Sequence, residues 1–94
     1  MKTIDMQARP VLARRVRLQI DTVRGAAVLL YPEGIAELND GAKEIVARCD
    51  GAQTVKSIID ALAAEFEAPR EQLATDVVSC LQQLCERNFI VLTP

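Results

Sequence analysis

The stretch from residue 28 to residue 40 constrains this chain more than any other, because strand chemistry gives way to helix chemistry inside it. Three apolar residues, Val28, Leu29 and Leu30, run into Tyr31 and the turn Pro32-Glu33-Gly34. Proline arrives with its φ already set for a β-turn, and glycine relaxes the backbone beside it. A second short run, Ile35, Ala36, Glu37 and Leu38, alternates before Asn39 and Asp40, either of which can cap a helix. The pattern predicts a hairpin that feeds a helical half. Its last strand is short, and at a sheet edge its N–H and C=O groups would be open to another chain.

Upstream, Val16, Leu18 and Ile20 alternate with Arg15, Arg17 and Gln19, which predicts a half-buried strand within residues 11–20. Residues 21–25 read as a turn and residues 26–31 as a central, more apolar strand. Residues 1–10 show no period and end at Pro10, so a loose arm is expected there. The expected sheet is three-stranded and antiparallel over residues 11–38.

Three helices are expected over residues 39–88. Ala42, Ile45, Val46 and Cys49 share one face of the first, which Asp50-Gly51 ends. Thr54 caps the second, whose stripe is Val55, Ile58, Ile59, Leu62 and Phe66. Pro69 breaks that helix and fits the start of a third, over about residues 70–87. With Leu73 at zero and about 100° per residue, its apolar residues run from Cys80 and Leu84 through Val77, Leu81, Ala74 and Cys85 to Val78, from about −20° to 140°. A surface helix needs a stripe of only about 100°. Either the domain covers both flanks itself, or the flank Ala74, Val78, Leu81 and Cys85 lines an exposed groove. Phe89, Ile90, Val91 and Leu92 then form a C-terminal strand or packing segment within residues 89–94. The expected class is α+β and winged-helix-like: a three-stranded antiparallel sheet followed by a three-helix bundle, in one domain over residues 1–94.

The residue inventory argues against catalysis. There is no histidine, which removes the commonest general base and metal ligand. No glycine-rich phosphate loop is present, since Gly25, Gly34, Gly41 and Gly51 sit at turns or helix ends. Cys49, Cys80 and Cys85 are odd in number and form no CxxC, so neither a disulfide framework nor a metal spacing is expected. No catalytic residue, metal or cofactor is therefore assigned. A winged helix on nucleic acid is the alternative function. It is disfavoured because the third helix opens with Arg70 beside Glu71 and carries Asp76.

Charge is segregated. Residues 1–24 carry six basic and two acidic groups, a balance of +4, and the remainder carries five basic and eleven acidic groups, a balance of −6. Arg14, Arg15 and Arg17 flank the first predicted strand and are candidates for steering an acidic partner. No apolar run approaches the roughly 20 residues of a membrane span, and residues 1–7 lack a signal peptide's apolar region, so a cytoplasmic location is expected.

Pro32-Glu33-Gly34, Leu38-Asn39, Ala42, Ile45, Cys49-Asp50-Gly51, Thr54-Val55, Ile58 and the pair Leu81 and Leu84, in this order, resemble the pyrroloquinoline quinone (PQQ) biosynthesis protein D family, PqqD. The resemblance spans about residues 9–92. It implies a peptide chaperone with the fold of a ribosomal-peptide recognition element. Such a protein would bind the precursor peptide of the pathway and present it to a radical S-adenosylmethionine (SAM) maturase that joins a Glu and a Tyr of that peptide. It also implies that the peptide pairs with the third strand and lies against the third helix. Carried onto this chain, the peptide-binding residues are Ile35, Ala36, Glu37 and Leu38 with Ala74, Val78, Leu81 and Cys85. A homodimer is a further expectation. The chain departs from the family at Ser79-Cys80, where an aromatic residue is usual, and at Asn88, where glycine is usual.

Overall fold

The computed structural model describes residues 4–94. Its strands are β1 (Arg9–Leu12), β2 (Arg17–Asp21), β3 (Ala26–Tyr31), β4 (Gly34–Leu38) and β5 (Ile90–Thr93), and its helices are α1 (Asp40–Val46), α2 (Val55–Phe66) and α3 (Arg70–Glu86). The fold is α+β. Strands β2, β3 and β4 form an antiparallel sheet in that order, with Leu29 opposite Ala36 and Ala27 opposite Leu38. These four side chains face the helices, and Leu29 is completely buried. Ile58, Ile59 and Val55 of α2 and Val77 and Leu81 of α3 complete the centre of the core.

Two expectations change at the N-terminal end. Residues 11–20 are not one strand. The chain turns where the Val16 N–H donates to the Ala13 carbonyl, 3.0 Å, and the segment before that turn pairs antiparallel with β5. Alternation along residues 15–20 located β2 correctly, but pairing between Leu12 and Ile90 is a long-range event with no local signal. Of the expected loose arm, residues 1–3 lie outside the described residues. The rest is held in place: Ile4, Ala8 and Pro10 are buried, and Arg9 and Pro10 belong to β1. Its carbonyls do the work that periodicity cannot reveal. Ala8 and Met6 accept from the N–H groups of Val55 and Lys56 at 2.9 and 3.0 Å, which satisfies donors that the first turn of α2 leaves free.

The helix boundaries follow local chemistry. The Asn39 side chain accepts from the Ala42 N–H at 2.8 Å and Thr54 Oγ1 from the Ser57 N–H at 3.1 Å, so both caps fall where expected. Helix α1 ends at Val46, so Cys49 lies beyond it. Asp50 then accepts from the N–H groups of Ala52 and Gln53, which holds its carboxyl below the usual carboxylate range. Gly51 stands at φ +80° with Val11 against it, as a left-handed position requires. Helix α3 packs against α1, α2 and β5, which explains its wide apolar arc.

The end of α3 is a Schellman motif. The Phe89 N–H donates to the Leu84 carbonyl at 2.9 Å and the Asn88 N–H to that of Cys85 at 3.0 Å, with Asn88 at φ +63°. This is the position where the family pattern leads one to expect glycine. Replacing Asn88 with Val is expected to cost about 1–2 kcal/mol, because a β-branched side chain tolerates this conformation poorly. Asn88→Gly is expected to match or exceed the wild type, and urea denaturation reads both.

Candidate functional site

Strand β4 is an edge of its sheet, with β3 on one side and no strand on the other among the described residues. An antiparallel ladder alternates bonded and non-bonded pairs, and a two-residue turn closes on a bonded pair. Counting from the pair Tyr31 and Gly34, the main-chain groups of Ala36 and Leu38 point back to β3, and those of Ile35 and Glu37 point outward. Ile35 keeps 64% of its surface exposed, so this edge is uncovered.

Behind the edge lies a groove of 460 Å³. Ala36, Glu37 and Leu38 of β4 form one wall; Asn39, Gly41, Ala42 and Ile45 close one end; Asp76, Ser79, Cys80, Gln83, Leu84 and Arg87 form the α3 wall, with Phe89 at the far end. The Arg87 guanidinium sits 4.7 Å from the centre of the Phe89 ring, and that ring packs on Tyr31 at 4.9 Å. These contacts fix the far end beside the hairpin turn.

The structure thus brings Ala36, Glu37 and Leu38 to α3, but against a different flank from the one expected. The groove wall spans about −120° to 20° on the helical wheel, whereas Leu81, Ala74, Cys85 and Val78 lie from about 80° to 140°. Leu81 is completely buried in the core. Ala74 and Val78 border a separate shallow depression with Thr75, Ser79 and Gln82, and Cys85 packs against the core. Apolar periodicity does not mark Asp76, Ser79, Gln83 and Arg87, because this wall is polar. The available signal was Cys80 and Leu84, which mark the arc's other rim.

Arg14, Arg15 and Arg17 are exposed. Arg15 borders a hollow of 570 Å³ beside the hairpin turn, together with Arg87 and Glu33. Arg70, which opens α3, donates to Asp60 at 2.7 Å, and Arg87, just past its end, covers Phe89.

The cysteines are thiols, not thiolates. Burial, with smaller contributions from Cys80, Asp50 and Cys85, pushes the Cys49 thiol up to about 12, and its Sγ donates to the Ile45 carbonyl at 3.2 Å. Burial also raises Cys80 and Cys85. Reactivity follows the thiolate fraction. At pH 8, iodoacetamide is expected to leave Cys49 of the folded protein unmodified and to alkylate Cys80 and Cys85 more slowly than a free thiol, as peptide mass mapping would read.

The family sequence model for coenzyme PQQ synthesis protein D (PqqD) matches residues 26–90. The chain belongs to the PqqD family. A relative from Rhodopseudomonas palustris named PqqA binding protein is 41% identical over 88 residues, covering 94% of this chain and 86% of that one. A PqqA binding protein from Xanthomonas campestris is 39% identical over 92 residues, covering 98% and 100%. Among solved PqqD structures, the solution structure of the PqqD truncation of Methylobacterium extorquens PqqCD superposes with a TM-score of 0.75 at 33% identity, covering 87% of each chain. That protein is described as a functional, stand-alone recognition element for ribosomally synthesised and post-translationally modified peptides. The crystal structure of PqqD from Xanthomonas campestris gives a TM-score of 0.56 at 40% identity, covering 90% and 94%.

Proposed function

We propose that this chain is a peptide-binding chaperone of PQQ biosynthesis, which takes the precursor peptide PqqA as an added strand on β4 and presents it to a radical SAM maturase. The observation that carries the reading is the open edge of β4 backed by a groove along α3, in a chain whose relatives are named for binding PqqA. In strand addition, main-chain pairing supplies affinity and alternate side chains supply specificity. Here the outward groups of Ile35 and Glu37 would pair with the peptide, while its inward side chains meet Cys80, Ser79 and Gln83.

The role is one of binding and delivery, not catalysis, and the cytoplasm suits its three unpaired thiols. The same edge could pair two copies, in which case peptide and homodimer compete. Titration of isotope-labelled protein with synthetic PqqA tests the reading directly, with the largest shifts expected in β4 and along the groove wall of α3. Bound PqqA is also expected to slow alkylation of Cys80 but not of Cys85. Protection of Cys85 alone would move the site to the other flank.

The exposed arginines before β2 are proposed to steer an acidic peptide or maturase surface. Such charges act mainly on association rate and are screened by salt. Arg14→Glu with Arg15→Glu is expected to slow association severalfold at low ionic strength and to matter little at high ionic strength. Stopped-flow rates that are unchanged for both partners at low salt would make the cluster a solvated face.

A further inference from the structure

A second hollow, of 320 Å³, opens between the three helices. Its apolar lining is Ile45, Leu62, Phe66, Leu73 and Val77, and its rim carries Asp40, Glu44 and Asp76. Phe66 belongs to the apolar stripe of α2, yet 52% of its surface is exposed here. Among the described residues Glu44 is paired with Arg48 at 3.1 Å, whereas Asp40 and Asp76 are in no ion pair. The hollow is therefore apolar inside and negative at its mouth.

This hollow and the β4 groove share Gly41, Ile45 and Asp76. Gly41 sits in the first turn of α1, where glycine weakens a helix. Its φ is not in the left-handed range, and a Cβ there would meet only Asn39 Oδ1, at an ordinary 3.5 Å. The fold does not need glycine at this position. Gly41 lines both hollows and adds no side chain to either.

Resting on the peptide-binding reading, we propose that the groove continues over Gly41 into the helical hollow, and that the hollow is a subsite for a bulky apolar side chain of the peptide with a basic residue next to it. Charge gives the track a direction: Arg15 and Arg87 outnumber Glu33 at the hairpin end, and Asp40, Glu44 and Asp76 stand at the other. The sheet is antiparallel throughout, and sheets of one kind are favoured. A peptide antiparallel to β4 has its N-terminal side at Leu38, next to the hollow. The subsite therefore reads residues that precede the strand-forming segment.

The test uses fluorophore-labelled synthetic PqqA and a version shortened from its N-terminus, measured by anisotropy against three proteins. Gly41→Leu is expected to melt at or above the wild-type temperature and to bind full-length PqqA about tenfold more weakly, the scale of losing one buried apolar side chain. Phe66→Ser, at an exposed position, is expected to weaken it about threefold and serves if Gly41→Leu does not fold. The shortened peptide is expected to bind the wild-type and Phe66→Ser proteins equally, since Phe66 lines the hollow and not the groove. Full-length PqqA binding all three with one affinity overturns the subsite and leaves the β4 reading standing, as does a Phe66→Ser loss that survives shortening. Absence of binding by the wild-type protein overturns both readings.

Discussion

Leu81→Asp is expected to leave no cooperatively folded protein at 25 °C. Leu81 lies at the centre of the core, completely buried between α3 and its neighbours. The substitution removes about 3 kcal/mol of packing and places a carboxylate in an apolar site, where it must be neutralised or stay unpaired at a further cost of several kcal/mol. The sum approaches the whole stability of a small domain, about 5–15 kcal/mol. Circular dichroism with urea titration would show a lost or grossly lowered transition. Val78→Asp is the informative partner: Val78 is half-buried and outside the groove, so about 1 kcal/mol is expected to be lost with peptide affinity kept within about twofold. A Val78→Asp protein of wild-type stability that no longer binds PqqA would return the site to the 80°–140° flank of α3.

The second large effect is expected from Glu37→Pro. The Glu37 N–H points away from β3, so proline costs the sheet no ladder bond but deprives an added strand of one donor and sets a ring in its path. A loss of roughly 30-fold in PqqA affinity, about 2 kcal/mol, is expected with little change in melting temperature. Ala36→Pro should behave oppositely. Its N–H points to β3, opposite Leu29, so the loss falls on folding, by about 3 kcal/mol. Wild-type peptide affinity in a folded Glu37→Pro protein would exclude strand addition on this edge.

What could be read from the residues divides along the range of the interactions. The turn at Pro32, the short strand after it, and the caps Asn39 and Thr54 depend on neighbours within a few positions, and each stands where the pattern puts it. The pairing of Arg9 with Thr93 joins segments more than eighty positions apart, and nothing local announces it. The same holds for the site. The open edge of β4 is legible because its turn and length are local. The flank of α3 that faces it depends on how the helix is rotated against α1, α2 and β5. Apolar periodicity shows that α3 is covered broadly, but both rims of a wide arc look alike until the packing chooses between them. Asp76, Ser79 and Gln83 carry no signal of their own, since solvated helices are full of such residues.

Strands β1 and β5 run antiparallel with Arg9 directly across from Thr93, and Thr93 Oγ1 donates to the Arg9 carbonyl at 2.8 Å. A polypeptide joined behind β5 therefore leaves the domain beside the start of β1, whereas ahead of β1 residues 4–8 run on to the start of α2. As β5 does not line the β4 groove, a tether behind it would let the domain swing about that anchor while its peptide edge stays clear. A loop long enough to run from residue 94 to the arm ahead of β1, with new ends opened in the exposed turn at residues 22–25, should give a circular permutant that still carries its ligand, since such turns tolerate new termini.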